Sequence, residues 1–209
     1  MRHRFYPIID LDFSGQSPAV ETARALGTAG CSMIEVRAKT ATGAQYFAFA
    51  RKVMVAAGPG CRVVVNDRLD VALASGAAGV HLGEHDIPVA EARKLAGAGF
   101  IVGATSRDPE TAVRAAGDGA DYIGAGAVFP TSHKHDTRLI GLEGLAAVAR
   151  AVDIPVFAIA GITAANCARV VETGAWGVSG IGCVAGADDP AGAWLAIERV
   201  MSTAAGQKR

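Results

Sequence analysis

Residues 62 to 68 read Arg-Val-Val-Val-Asn-Asp-Arg: three valines run directly into an amide, a carboxylate and a guanidinium. A Val-rich run of this kind suits a strand buried on both faces, as in parallel sheets. Asn66 and Asp67 then stand at the carboxyl end of that strand, the rim on which α/β folds carry their chemistry. The next apolar run, residues 79 to 83, ends in Glu84, His85 and Asp86. Two consecutive strands ending in the carboxylates Asp67 and Asp86 make a natural Mg2+ site for a phosphorylated substrate, since Mg2+ takes one or two carboxylates and completes its shell with phosphate and water. Loop carboxylates or helix N-caps are the alternative roles for both residues, and at this level the two readings stand side by side.

Three further stretches could bind anions. Glu35, Arg37 and Lys39 alternate, so a two-residue period points them the same way. Charges buried without partners cost several kcal/mol, so this face belongs either at a polar mouth or beneath a helix with salt-bridge partners. At a mouth, Arg37 and Lys39 would hold a diphosphate, Arg37 bidentately. The polar loop of residues 130 to 141 contains Thr131, His133, Lys134, His135 and Arg138; it reads as a lid over phosphate or as a solvated loop. Gly161 and the run Ser179-Gly180-Ile181-Gly182 would expose backbone N–H groups as a phosphate cradle, or simply make tight turns. The pairs His133/His135 and His81/His85 raise a transition-metal site, but the oxygen ligands suit Mg2+ better.

Eight strand and helix units are needed to position these groups. Strands are expected over residues 5 to 10, 32 to 37, 62 to 66, 79 to 83, 100 to 105, 122 to 129, 155 to 160 and 177 to 182. The first helix buries Val20, Ala23 and Leu26. The second, residues 44 to 57, presents Phe47, Ala50, Met54 and Ala57 and stops at Gly58-Pro59-Gly60. A short helix covers residues 69 to 75, Pro88 starts the fourth, and Asp108-Pro109 caps and opens the fifth. A sixth spans residues 143 to 152, a seventh follows Gly161-Ile162-Thr163, and the last, residues 190 to 201, buries Trp194, Ile197 and Val200. This alternation, with no second compositional regime, predicts an α/β fold: one (β/α)8 TIM barrel over residues 1 to 209 as a single domain. A doubly wound open sheet is the alternative, but its Gly-x-Gly-x-x-Gly fingerprint is missing after strand one.

At 51% hydrophobic, with 20 basic against 20 acidic residues, the chain can bury one large core and has no charge bias toward nucleic acid. Aromatics at 6% also argue against a base-stacking surface. Cys31, Cys61, Cys167 and Cys183 lack metal-ligand spacing and are expected to be reduced thiols. No long apolar run points to a membrane or a signal peptide, so a cytoplasmic protein is expected, and a homo-oligomer is compatible with this reading.

The motifs Glu35-x-Arg37-x-Lys39, Asn66-Asp67-Arg68-x-Asp70, Gly79-Val80-His81-Leu82-Gly83 with Asp86, Gly119-Ala120-Asp121-Tyr122-x-Gly124, Phe129-Pro130-Thr131 with Lys134, Gly161-Ile162 and Gly177-Val178-Ser179 occur together. With them, nearly the whole chain resembles the family of thiamine phosphate synthases and the related TenI-type thiazole tautomerases. The resemblance implies a Mg2+-dependent transferase that couples an aminopyrimidine methyl diphosphate to a thiazole phosphate. It assigns Mg2+ to Asp67 and Asp86, and the pyrimidine diphosphate to Arg37, Lys39, Asn66 and Lys134. Glu35 and Thr105 fall on the pyrimidine side. Thr131, His133, Gly161, Ile181 and Gly182 fall on the thiazole phosphate side, and Lys134, Arg37 and Thr105 form the catalytic set. Glu35 stands for the family's usual Gln, Arg107 for a His, His133 for a Thr and Gly182 for a Ser. The tautomerases use that His to transfer a proton, a task for which Arg is poorly suited. Tautomerization and a non-catalytic barrel that binds phosphorylated ligands are the competing functions.

Overall fold

Alternation along each strand decides this architecture, because both faces of a barrel strand must be buried, one by helices and one by the barrel's own filling. The structure, a computed structural model, describes residues 3–13, 18–131 and 138–206. The strands are β1 (Phe5–Asp10), β2 (Met33–Arg37), β3 (Arg62–Asn66), β4 (Gly79–Leu82), β5 (Ile101–Ser106), β6 (Tyr122–Ala125), β7 (Val156–Ile159) and β8 (Gly177–Gly180). Neighbours pair in parallel, and β1 pairs with β8 through Phe5↔Val178 and Tyr6↔Ser179, which closes the barrel. The open-sheet alternative therefore falls. The helices are α1 (Ala19–Thr28), α2 (Gly43–Ala57), α3 (Leu69–Ser75), α4 (Val89–Ala96), α5 (Pro109–Gly117), α6 (Gly141–Ala151), α7 (Cys167–Val171), α8 (Gly182–Ala185) and α9 (Pro190–Gly206).

Two cores result. Ile34, Val36, Val63, Val65, Val80, Leu82, Val102 and Ile123 face outward into the helix layer. Tyr6, Ile8, Met33, Val64, Tyr122 and Phe157 fill the interior. Tyr6 lies edge-on to Phe157 and to Tyr122, with ring centroids 4.9 and 5.6 Å apart, the geometry that aromatic quadrupoles favour. Glycines make room for these rings. A Cβ on Gly103 would lie 2.2 Å from Tyr122 Cζ, and one on Gly124 would lie 2.9 Å from His81 Cε1. The last helix is tied to the first strand: Glu198 accepts from the Arg4 and Phe5 N–H groups, and Trp194 Nε1 donates to the Phe5 carbonyl at 3.1 Å.

Several expected boundaries move. In α2 the buried face is Tyr46, Phe49, Ala50, Val53 and Ala57, while Phe47 is exposed, because a second i, i+3, i+4, i+7 set competes with the expected one. Pro88 caps α4 from outside the helix instead of opening it. The sixth strand stops at Ala125: Gly126 passes so close to β7 that a Cβ would lie 2.3 Å from the Ile159 carbonyl oxygen, and the chain leaves the ladder there. The eighth strand stops at Gly180, and Gly182 opens the short helix α8. Helix α9 runs on to Gly206 and buries Met201, leaving Val200 partly covered. The cap at α5 is as expected: Asp108 Oδ1 accepts from the Thr111 N–H at 2.9 Å, with Pro109 first in the helix.

Since the Gly103 position is taken up by the Tyr122 ring, Gly103→Ala forces that ring out of place. Urea denaturation of this variant is expected to show a loss of about 1–3 kcal/mol with an unchanged m-value. A loss under about 0.5 kcal/mol would mean that the interior is looser than its geometry implies.

Candidate active site

A strand that ends in a sharp turn can throw a side chain over the barrel mouth, and β3 does so. Asp67 has φ 64°, in the left-handed region, and the Arg68 N–H donates to the Asn66 carbonyl at 2.8 Å to close a three-residue turn around it. The Asp67 N–H still donates to the His81 carbonyl at 2.8 Å, so the turn is fastened to β4. Asn66 Nδ2 donates to Asp67 Oδ1 at 2.5 Å, and Lys39 Nζ forms an ion pair with Oδ2. Beneath the turn the Tyr46 hydroxyl donates to the Val36 carbonyl at 2.6 Å and accepts from the Asn66 N–H at 3.0 Å. Tyr46 thereby joins β2 to β3, and burial followed by the negative charge of Glu35 pushes its phenol up from the usual value.

The second carboxylate arrives from β4. Gly83 donates its N–H to Asp86 Oδ2 at 2.6 Å, which folds the Gly83–Asp86 loop back on itself. A Cβ on Gly83 would lie 3.0 Å from Asp86 Oδ2 and 3.8 Å from Asp67 Oδ1, so the two carboxylates converge on one small volume. Burial, and then the neighbouring Asp67, push the Asp86 carboxyl up from its ordinary range. Two acidic groups held together in this way fit a hard divalent cation. Among the described residues no group of three or more His, Cys, Asp or Glu is placed to hold a metal, so such a cation would complete its shell with water and substrate oxygens.

The strand-two trio is graded by depth. Glu35 is buried, Arg37 is partly buried and Lys39 is exposed, two residues past the strand end. Arg37 forms an ion pair with Asp10, its register partner on β1. Asp12 Oδ2 accepts from the Lys39 and Thr40 N–H groups at 2.7 and 3.1 Å and orders the segment that carries Lys39. On the next arc, Thr105 Oγ1 is 3.0 Å from His81 Nε2, and His81 Nδ1 is 3.0 Å from the Tyr122 hydroxyl. Both ring nitrogens of His81 are thus engaged inside the barrel, so it does not pair with exposed His85 as a metal site. Arg107, at the end of β5, forms an ion pair with Glu84 at the end of β4.

Thr131, Gly161, Ile181 and Gly182 follow β6, β7 and β8 on the opposite arc of the same mouth. Gly161 has φ 67°, and a Cβ there would lie 2.5 Å from the Pro130 carbonyl oxygen, so the segment leading to Thr131 is pressed against the end of β7. Asn166 Nδ2 donates to the Gly161 carbonyl at 2.8 Å and steadies this turn. His133 and Lys134, with the expected lid and the pair His133/His135, lie outside the described residues.

The sequence reading gave no role to Asp10, Asp12 or Tyr46, and carried Tyr122 and His81 as motif members without a role in the site, His81 also as a metal candidate. Asp10 carried a usable signal, being the last residue of a strand that ends on the same rim. Tyr46 carried none, because its hydroxyl does its work between two strands that are distant in the chain.

The family described as thiamine monophosphate synthase matches over residues 5–184. The thiamine-phosphate synthase of Moorella thermoacetica is 39% identical over 204 residues, covering 97% of each chain. That of Salinispora tropica is 43% identical over 188 residues, covering 88% of this chain and 90% of the relative. Among solved structures, the thiamine phosphate pyrophosphorylase from Pyrococcus furiosus superimposes with a TM-score of 0.86 at 36% identity, covering 96% of both chains.

The raised Asp86 carboxyl has a pH signature. In metal-free protein its contribution favours the fold below the ordinary carboxylate range and is withdrawn as pH rises through the raised value. Asp86→Asn has no such withdrawal. Thermal melts in chelator should therefore show the Tm gap, variant minus wild type, widening from about pH 4 upward. A constant gap would mean that neither burial nor Asp67 raises the Asp86 carboxyl in the folded protein.

Proposed function

Because the chain belongs to the thiamine monophosphate synthase family, we propose that this barrel mouth joins 4-amino-2-methyl-5-pyrimidinylmethyl diphosphate to a thiazole phosphate. The products are thiamine phosphate and diphosphate, and the enzyme is a transferase. The observation that carries the site assignment is the convergence of Asp67 and Asp86 over Gly83, flanked by Lys39 and Arg37.

In the reaction the bond between the pyrimidine methylene carbon and the diphosphate oxygen breaks, and its electron pair leaves on that oxygen. The lone pair of the thiazole nitrogen forms the new carbon–nitrogen bond. With a thiazole that lacks a ring carboxylate no proton has to move, and a carboxylated one loses CO2 and takes up a proton at that carbon, so bond transfer itself needs hydrogen-bond donors and positive charge more than a base. Arg37, Lys39, Asn66 and Lys134 donate to the diphosphate, and Lys39 exchanges the Asp67 carboxylate for a phosphate oxygen as the substrate enters. Asp67 and Asp86 would hold Mg2+, which when bound would supply positive charge against the charge developing on the leaving group. Thr105, fixed by His81, and Glu35 on the floor line the pyrimidine side. Thr131, His133, Gly161, Ile181 and Gly182 receive the thiazole phosphate, with or without a ring carboxylate, through hydroxyl and backbone N–H groups.

Tautomerization is the weaker reading. It calls for a proton-transferring group where Arg107 stands, and a guanidinium paired with Glu84 has no proton to exchange readily. We place the reaction in the cytoplasm, in keeping with four free thiols. Among the described residues no helix is long and apolar enough to cross a membrane.

Diphosphate release should require both substrates and Mg2+. Thiazole isomerization without diphosphate release would instead establish the tautomerase, and thermal stabilisation by ligand without any product would establish a binding protein. Asp67→Asn removes the charge but keeps a residue that tolerates the left-handed turn. Its turnover is expected to fall on the order of 10²- to 10³-fold with Tm little changed. Turnover within about threefold of wild type would sink the metal assignment.

A further inference from the structure

At the barrel's N-terminal end, remote from the carboxylate pair, two cysteines from different β/α units meet. Cys31 precedes β2 and Cys61 immediately precedes β3. These strands pair with Met33 opposite Arg62, and the Arg62 N–H donates to the Ser32 carbonyl at 3.0 Å, so upstream Cys61 falls opposite Ser32 with Cys31 as its diagonal neighbour. Neighbouring strands run about 4.8 Å apart, within the Cα separation that a disulfide spans. Both side chains belong to the same apolar layer, Cys31 buried in it and Cys61 packed against it, and the thiols donate to the Met33 and Arg62 carbonyls at 3.2 and 3.9 Å. Cys31 is buried, while Cys61 is partly exposed beside the exposed Arg62.

We propose that Cys31 and Cys61 form a peroxide-sensitive pair in which Cys61 meets the oxidant and Cys31 resolves it to a reversible disulfide. In the first step the Cys61 thiol reacts with hydrogen peroxide to give a sulfenic acid and water. In the second, the Cys31 sulfur attacks the Cys61 sulfur, forming the S–S bond and releasing a second water. Two thiols thus supply the two electrons that reduce one peroxide.

The division of labour follows from the surroundings. The neighbouring Cys31 thiol and the charge of Arg62 lower the Cys61 thiol from its usual value, and its partial exposure admits the oxidant. The other three thiols shift the opposite way. Cys31 is raised by the neighbouring Cys61 thiol and by burial, Cys167 is raised by burial, and burial pushes Cys183 up to about 12. A crosslink here would tie the segment before β2 to the segment before β3 across helix α2, constraining the unfolded chain without touching the mouth.

Peroxide titration of the purified full-length protein, read by intact mass and alkylation, tests the pair. The oxidised protein should lose about 2 Da and two of its four alkylatable thiols. Peptide mapping should join Cys31 to Cys61, and dithiothreitol should restore both thiols. The oxidised form should melt several degrees above the reduced form with turnover unchanged. In Cys31→Ser, and independently in Cys31→Ala, Cys61 should run on to the sulfinic acid, a gain of about 32 Da, with no rise in Tm. A crosslink through Cys167 or Cys183 would overturn the proposal. So would wild-type Cys61 reaching the sulfinic acid while Cys31 stays alkylatable, or an unchanged wild-type mass under excess peroxide.

Discussion

Two carboxylates in one small volume repel each other, and the barrel keeps Asp67 and Asp86 together by fixing the backbone beneath each of them. Asp67 cannot swing away because its own N–H is bonded to β4 and the next N–H closes a tight turn. Asp86 cannot swing away because the Gly83 N–H holds its carboxylate. Lys39 and Asn66 offset part of the repulsion from the Asp67 side. By itself this polar arrangement is a loss for the folded chain, of the kind common at functional sites.

The barrel interior supplies the rigid floor that such a rim needs. Tyr6, Tyr122 and Phe157 interlock, and Gly103 and Gly124 surrender their side-chain volume to Tyr122 and His81. Tyr122 on β6 then positions His81 on β4, two strands away, and His81 positions Thr105 on the strand between them, so a hydroxyl at the mouth is set by an aromatic ring it does not touch. Burial raises the Tyr6 and Tyr122 phenols, which keeps them neutral in this layer.

The two ends of the barrel divide the labour. The C-terminal rim collects Asp67, Asp86, Arg37, Lys39 and the glycine turns after β7 and β8. The N-terminal end collects contacts that hold the fold closed, such as Glu198 on the Arg4 and Phe5 amides and Trp194 on Phe5. The Cys31–Cys61 pair belongs to this second end. A change of stability there leaves the geometry of the mouth alone, because the packed interior lies between them.

How much could be read in advance depended on the range of each cause. Strand count, the carboxylates at the ends of β3 and β4 and the Asp108 cap follow from neighbours within a few residues, so the amino-acid order by itself determined them. The length of β6, the helix α8, the buried face of α2 and the work of Tyr46 and His81 depend on groups far away in the chain. Val63, Val64 and Val65 show the limit most clearly: all three are buried valines, yet Val64 fills the barrel and its neighbours pack on helices. An apolar run buried on both sides has no polar face to mark which side is inside, and only the pairing of β1 with β8 decides it. Register between β1 and β2 brings Asp10 against Arg37, and the inward curl of the sheet points Tyr122 at His81 past Gly103, contacts that the order of residues does not show.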